Sequence, residues 1–582
     1  MRIQSLTMAA LAVALAGCAQ NPAAPLAHAA ATATPMANEA EAADTIYSGG
    51  PIVTVNDRQL SAEALAVKNG RIVAVGALAD VTRLRGKRTR WVDLQGHVLT
   101  PGFVDPHAHF GGFGSQAIGA NLLNPPDGDV NTVSDVVQKL REFAQSPDVK
   151  RTGWVFGLGY DDALLGRHPT AEDLDQVSTT LPVIAVHISG HFSAVNSVGL
   201  KALGYSADTN DPPGGVIRRK AGSREPNGVL EELASIPHMI KAVNPSKPED
   251  IEYFTRRGLE LAKSFGYTTA QEGRAFTANH NAFAAYANKY GFEIDVNAYV
   301  DYLDRKLLDD SKWFGPNYQQ GYRLAGLKIT LDGSPQGRTA WRTQPYLLPP
   351  DGQQAGYKGY PALADDKALM ALYDEAYRKH WQVLTHANGD AAVDQLIRTI
   401  SPAVTQYGVG QRRNTLIHGQ FVREDQLKTL AELGIIPSLF PMHTFYWGDW
   451  YEQIVGSVAA QKISPLRTAL KYHPVVTSHT DAPVALPNLL QVMDATVNRT
   501  SRSGKVMGAA ERLTPLEALK TVTLWGAYQH GEEAHKGSLE VGKLADMVVL
   551  SDNPLTIEPP RIKTIKVLQT IKEGKTVWQR QP

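Results

Sequence analysis

Six residues of the chain are of types that could assemble a metal site: four histidines, a lysine and an aspartate, each at the end of or within a short apolar run. His107 and His109 close the stretch Val98-Leu-Thr-Pro-Gly-Phe-Val-Asp-Pro-His-Ala-His109. On a strand, side chains at i and i+2 point to the same side. Two imidazoles side by side can then share one cation, and imidazole suits zinc and similar metals. Alone, His-x-His after a proline reads equally as a turn. Here further ligand types follow: His386 ends Gln382-Val-Leu-Thr-His386, His418 ends Thr415-Leu-Ile-His418, and Asp481 ends Val475-Val-Thr-Ser-His-Thr-Asp481. Lys328 lies inside the apolar run Leu324–Thr330. Lysine is almost never buried without a partner, and burial lowers its pKa. A neutral amine reacts with carbon dioxide to give a carbamate, an anionic oxygen ligand able to bridge two metals.

For these residues to meet, the runs must lie side by side. Between the chain ends, apolar β-type runs alternate with helix-type segments, the pattern of a parallel α/β fold. The expected architecture is a (β/α)8 TIM-like barrel over residues 98–535. Its strands are the run ending at His107/His109, Tyr267–Gln271, Ile294–Val300, Leu324–Thr330, Gln382–His386, Thr415–His418, Ile435–Leu439 and Val475–Asp481. The six residues then share the C-terminal mouth, where such barrels carry their sites. A ninth run, Leu181–His187, is left to a large insertion after the first strand, residues 110–265. Residues 44–97 and 536–582 both show short β-type runs with turns, among them Asn69-Gly70, a strong hairpin signal. The two ends are expected to form one small β-sandwich domain.

The chain has 582 residues, with 58 Lys+Arg against 58 Asp+Glu. That balance offers no basic surplus for nucleic acid. The single cysteine excludes an intramolecular disulfide. Cys18 follows Met1-Arg2, the apolar run Leu11–Leu15 and Leu15-Ala-Gly, the layout of a secretory signal too short to remain as a spanning helix. Leu-Ala-Gly-Cys resembles a bacterial lipobox. Residues 1–18 are therefore read as a lipoprotein signal peptide with Cys18 as the acylated residue, and 19–43 as a flexible Ala/Pro-rich tether. This implies export to the periplasm or an outer-membrane face, with lipid anchoring of an otherwise soluble body.

Beyond these single features, Pro101–His109, Gly190-His191 with Asn196-Ser197, Lys328 with Asp332-Gly-Ser334, His386-Ala-Asn-Gly-Asp390, His418, Asp481-Ala-Pro483, Thr514–Leu519 and Gly537–Asp546 together resemble the amidohydrolase superfamily. Within it, they resemble the YtcJ-like branch that includes N-substituted formamide deformylase. The resemblance implies that His107 and His109 bind one metal and His386 and His418 a second. It further implies that carbamylated Lys328 bridges them and that Asp481 both ligates and acts as general base. One or two divalent ions, zinc in the first instance, would serve each chain. Three positions depart from the branch pattern: Ile417 replaces a glutamate before His418, His479-Thr480 replaces Gly-Ser before Asp481, and Ser189 replaces an aspartate before Gly190-His191.

The insertion resembles the family region that roofs the mouth. There His191 is the candidate for touching substrate or polarising its carbonyl, or else a cap on local backbone. Tyr160, Arg338 and His443 are further substrate-binding candidates, and Arg338 could pair with a carboxylate. Phe445-Tyr-Trp447 and Trp450 read as pocket lining or core. The expected function is a metal-dependent amidohydrolase that cleaves an amide-type C–N bond of a small molecule with metal-activated hydroxide. A lactone or other ester hydrolase on the same metals, and a non-catalytic ligand-binding lipoprotein, are the alternatives. Members of the branch are often homodimers.

Overall fold

The computed structural model describes residues 41–350 and 353–581. Cys18, the signal segment 1–18 and residues 19–40 of the tether lie outside them. Eight parallel strands run side by side in chain order: Phe103–Val104, Tyr267–Ala275, Asp295–Asp301, Tyr322–Thr330, Gln382–Ala387, Thr415–His418, Ile436–Leu439 and Thr477–Ser478. Each falls on one of the eight expected runs. The runs are largely apolar because both faces are covered, which parallel sheets require; Thr415–His418 and Ile436–Leu439 are buried at every position. Helices such as Thr277–Tyr290, Asp366–Arg378 and Asp390–Tyr407 alternate with the strands. The first and eighth strands meet at the mouth, where the Asp481 N–H donates to the His107 carbonyl at 3.1 Å and the His109 N–H to Ala482 at 2.8 Å. This is the arrangement of a TIM-like barrel.

The stretch expected as one strand up to His109 is two. Val98–Pro101 pairs antiparallel with Met547–Leu550 and parallel with Ile52, in the sheet of the chain ends. Only Phe103–Val104 joins the barrel, beside Tyr267 and Thr269. Gly102 sits between them, where a Cβ would stand 2.3 Å from the Thr268 methyl. That close approach lets the chain pass from one sheet to the other. His107 and His109 follow Pro106 in a turn, so strand alternation does not bring their rings together.

Leu181–His187 does fall outside the barrel. Val183–His187 lies in a six-stranded sheet with Val155–Tyr160, Phe192–Val195 and three further strands of the insertion. That sheet has its own apolar core, including Leu122, Val136, Phe156, Ile184 and Leu230. The last helix of the expected insertion, Pro248–Ser264, instead packs against Tyr267–Ala275 and is part of the barrel wall.

The chain ends build two sheets. One holds Thr45–Ser48, Ala64–Lys68, Arg71–Gly76 and Arg90–Asp93; the other joins Ile52–Val53, Ser61–Ala62 and Val98–Pro101 to Met547–Leu550, Val567–Lys572 and Lys575–Gln579. Tyr47, Leu65, Leu99, Met547 and Ile571 share one buried cluster between them. Asn69 and Gly70 both adopt positive φ, 50° and 75°, as a tight hairpin turn demands. Among the described residues no helix is long and apolar enough to cross a membrane.

A buried ionic network ties this domain to the barrel. Asp295, which opens the third barrel strand, receives Lys536 and, at 2.9 Å, Lys572, which also reaches Asp546 at 2.9 Å. Glu532 pairs with Arg323 at 2.8 Å and Lys536 at 3.1 Å. Removing one partner of such a network leaves buried charge uncompensated. Asp295→Asn is therefore expected to cost about 3–5 kcal/mol of stability, read as a lower urea midpoint; a midpoint equal to that of the parent would show that the network contributes nothing.

Candidate metal centre

All six residues picked out by their types converge at the mouth. His107 is fully buried, and its outer nitrogen Nδ1 lies 2.6 Å from Gln271 Oε1. The Gln271 amide also donates to the Pro106 carbonyl. This fixes which end of the amide is the acceptor, so His107 carries its proton on Nδ1 and turns the Nε2 lone pair inward. Gly273 leaves the room: a Cβ there would stand 2.2 Å from His107 Cε1. Inward, His107 Nε2 lies 3.1 Å from Lys328 Nζ and 3.6 Å from Asp481 Oδ1. His109 places Nε2 3.4 Å from the same Asp481 oxygen, with Nδ1 3.6 Å from Glu272.

On the opposite side, His386 and His418 stand edge to face, with ring centroids 4.6 Å apart. His386 Nδ1 is 3.3 Å from Asp332, whose carboxylate accepts backbone N–H groups of Trp341, Asn388 and Gly389. His418 Nδ1 lies 3.1 Å from His479 Nε2, and His479 Nδ1 lies 3.0 Å from Ser438 Oγ. His418 Nε2 is 3.9 Å from Asp481 Oδ2. Both His418 and Asp481 hold positive φ, 76° and 52°. Such backbone costs a non-glycine residue about 1–3 kcal/mol and concentrates at functional sites.

The electrostatics favour ligands over charged side chains. Burial, then the neighbouring Lys328, His109 and His479, pushes His107 well below the ordinary histidine range. Burial and the surrounding imidazoles do the same to His418. Burial brings the Lys328 amine down to about 7. Burial also drives Asp481 up, but contact with His109 and the charges of His109, His479 and Lys328 outweigh it, leaving the carboxylate below its usual value. His107, His386 and His418 are thus driven toward the neutral form that a metal needs, whereas burial lowers His109 but its contacts with Asp481 and Glu272 more than reverse this.

The donor set fits a divalent cation. His107, His418 and Asp481 each offer an atom within 4.8 Å of the others. Asp481 Oδ1 is buried with only the loose approaches of His109 at 3.4 Å and His107 at 3.6 Å and no well-formed hydrogen bond, although buried polar atoms nearly always have one.

A cavity of about 250 Å³ opens onto these residues and is also lined by His191 and His443. His191 Nδ1 lies 2.8 Å from Glu232 Oε2. Burial pulls its pKa down, and the charge and hydrogen bond of Glu232 more than reverse this, so it stands above the ordinary value. His443 is held by the Tyr451 hydroxyl at 2.6 Å and is lowered to about 3 by burial. Tyr160 and Arg338 are placed elsewhere. Tyr160 is buried in the insertion sheet, its hydroxyl 3.0 Å from His168. Arg338 lines a separate cavity beside Trp450 and donates to the carbonyls of Leu348 and Pro349 at 3.2 Å. Phe445, Tyr446 and Trp447 are buried, largely as core. Gln271 and Glu272 position the ligands without being singled out from sequence. Asp332 and His479 do so as well, and the sequence marked them only as part of a motif and as a departure from the branch pattern, with no role assigned.

A barrel with this ligand set at its mouth belongs to the amidohydrolases: the chain is a member of the amidohydrolase family, whose profile matches residues 90–578. It is 27% identical over 551 residues to the putative amidohydrolase YtcJ of Bacillus subtilis, covering 92% of this chain and 99% of that one. It is 24% identical over 562 residues to N-substituted formamide deformylase of Arthrobacter pascens, covering 92% and 98%. Among solved structures, an uncharacterized metal-dependent hydrolase from Pyrococcus horikoshii superposes with a TM-score of 0.69 at 22% identity, covering 88% of this chain and 99% of that one.

Outer partners of metal-binding histidines typically contribute 10–100-fold to metal affinity. Gln271→Ala, which frees the outer nitrogen of His107, is expected to weaken zinc binding by about that factor in a competition titration with a chromophoric chelator; unchanged affinity would mean that Gln271 does not set the His107 tautomer.

Proposed function

We propose that this chain is a metal-dependent hydrolase that cleaves an amide-type C–N bond in a small molecule carrying an apolar group. The observation that carries this reading is Asp481: a buried carboxylate with its pKa lowered, whose Oδ1 is approached only at 3.4 Å by His109 and 3.6 Å by His107, facing four histidines and Lys328 in a substrate-sized cavity. His107, His109, Lys328, His386, His418 and Asp481 would hold one or two divalent cations of the zinc type. Such a cation supplies Lewis acidity and lowers the pKa of a water molecule to about 7.

The remaining roles fall to the protein. Asp481 takes the proton of the attacking water and returns it to the departing amine, as general base and then acid. Lys328, with its amine brought near 7, is neutral in large part at neutral pH and can take up carbon dioxide as an anionic carbamate ligand. His191, whose charged form Glu232 favours, donates a hydrogen bond to the carbonyl oxygen as negative charge develops there.

The apolar group has a place. A second chamber of about 270 Å³ shares His109, Gly190, Arg274, Pro483 and Val484 with the catalytic cavity. Its walls are formed by Leu158, Val186, Ile188, Met239, Ile240 and Val243. The name of one relative, N-substituted formamide deformylase, is in keeping with an amide bearing such a substituent.

His191→Asn should lower kcat about 10²–10³-fold on the best amide substrate. Because the pKa of His191 is raised, its charged form persists above the usual histidine range, and the activity of the parent falls as pH rises through that raised value. The variant should lack this limb of the pH profile. A panel of N-alkyl and N-benzyl amides beside the matching esters and lactones tests the bond: turnover of esters or lactones alone would replace the amide reading with an ester hydrolase, and binding without turnover in the metal-loaded protein would remove the enzyme reading.

A further inference from the structure

Among the described residues a second group of carboxylates and imidazole converges as tightly as the catalytic one: Asp161, Asp162 and His187 each offer a donor atom within 4.8 Å of the others. It lies in the insertion, where Val155–Tyr160 gives way to the short helix Asp162–Leu165 capped by Asp161, and at the end of Val183–His187. His187 Nε2 is 2.9 Å from Asp162 Oδ1, and His168 Nε2 is 3.4 Å from Asp162 Oδ2. The outer nitrogens of both rings are held by hydroxyls: His187 Nδ1 by Ser189 at 2.8 Å, His168 Nδ1 by Tyr160 at 3.0 Å. The Ser189 backbone N–H also donates to His187 Nδ1 at 3.2 Å, so the His187 proton sits on Nε2 facing Asp162, and a metal ion bound there would take the place of that proton.

An ion pair alone does not account for the group. His187 and His168 satisfy Asp162, but not Asp161. Asp161 is 2% exposed; its Oδ1 accepts the Ala163 N–H at 3.1 Å, and its Oδ2 is buried with no partner. Arg502 lines the same cavity, lies over the Phe445 and Tyr446 rings, and acts with His187 on Asp161 through its charge but without a hydrogen bond to it. What remains for a cation is the buried Asp161 oxygen that no donor reaches, beside the Asp162 carboxylate. Asp161, Asp162 and His187 form part of the wall of a cavity of about 450 Å³, which gives an ion a route in.

We propose that Asp161, Asp162 and His187, with His168 alongside, bind a divalent transition-metal ion at a site separate from the catalytic centre, and that this ion fixes the loop carrying His191. Two carboxylates with imidazole suit zinc, cobalt or manganese. The link to the mouth is short. The strand Val183–His187 runs through Ser189, which holds His187, and Gly190 at φ 70° directly to His191. An ion on His187 therefore anchors the base of the loop whose tip lines the catalytic cavity.

The test uses the full-length protein with zinc as probe. Anomalous difference maps from zinc-soaked crystals should show a peak among Asp161, Asp162 and His187 in addition to any at the barrel mouth; zinc confined to the barrel mouth would overturn the proposal. In solution, Asp162→Asn and His187→Gln should each lose about one equivalent of bound zinc by elemental mass spectrometry while keeping the metal of the barrel and the parent circular dichroism. Folded variants with the stoichiometry of the parent would also overturn it. Should the variants not fold, the map of the parent protein decides.

Discussion

The mouth of this barrel depends on one seam, the meeting of the first and eighth strands. Asp105, buried just past the first strand, accepts the hydroxyls of Tyr267 from the second strand and Thr480 from the eighth, both at 2.6 Å, as well as the His107 N–H at 3.2 Å. Two residues on, the backbone bonds from Asp481 to His107 and from His109 to Ala482 complete the seam. These contacts set how far Asp481 stands from His107 and His109, and every proposed step of the chemistry passes through that group. Burial raises Asp105 to about 6, and the hydrogen bonds from Thr480, Tyr267 and the His107 N–H oppose that rise.

From the seam outward, the centre is organised by partners that do not themselves face the cavity. Gln271, Asp332 and His479 each hold the outer nitrogen of one histidine or lie beside it, so the inner nitrogens point to a common space. Crowding five imidazoles, a lysine and a carboxylate into a dry mouth would be unfavourable if all were charged. The structure resolves this by lowering His107, His386, His418 and His479 and pairing the one raised imidazole, His109, with ionised Asp481 and with Glu272; a bound cation would take over the charge that His109 carries.

Much of this was legible in the sequence. Parallel strands buried on both faces leave largely apolar runs, so all eight barrel strands could be read, and polar residues at the ends of those runs had to lie at the mouth. The split at Gly102 was not legible, because Val98–Pro101 and Phe103–Val104 are both apolar and follow one another almost without interruption; which sheet each joins is decided by Met547–Leu550, more than 400 residues away. Gln271 was missed, and Asp332 was quoted in a motif but given no role, for a related reason: a glutamine or aspartate near a strand end has no visible purpose until the fold brings its partner beside it, and His107 is 164 residues from Gln271. Tyr160 and Arg338 have the right chemistry for substrate contact, yet the insertion sheet and the 450 Å³ cavity take them away from the barrel mouth.

The central claim is that the six convergent residues form a metal centre in which buried Lys328 is a ligand. The most direct measurement is the metal content of the purified protein by elemental mass spectrometry, beside its Lys328→Ala variant, with cobalt absorption spectra to report on the barrel site. The account predicts bound divalent metal in the parent and a loss of most of it from the barrel site in the variant, with the fold retained. Parent protein whose barrel takes up no metal on reconstitution, or holds the same amount with and without Lys328, would contradict it.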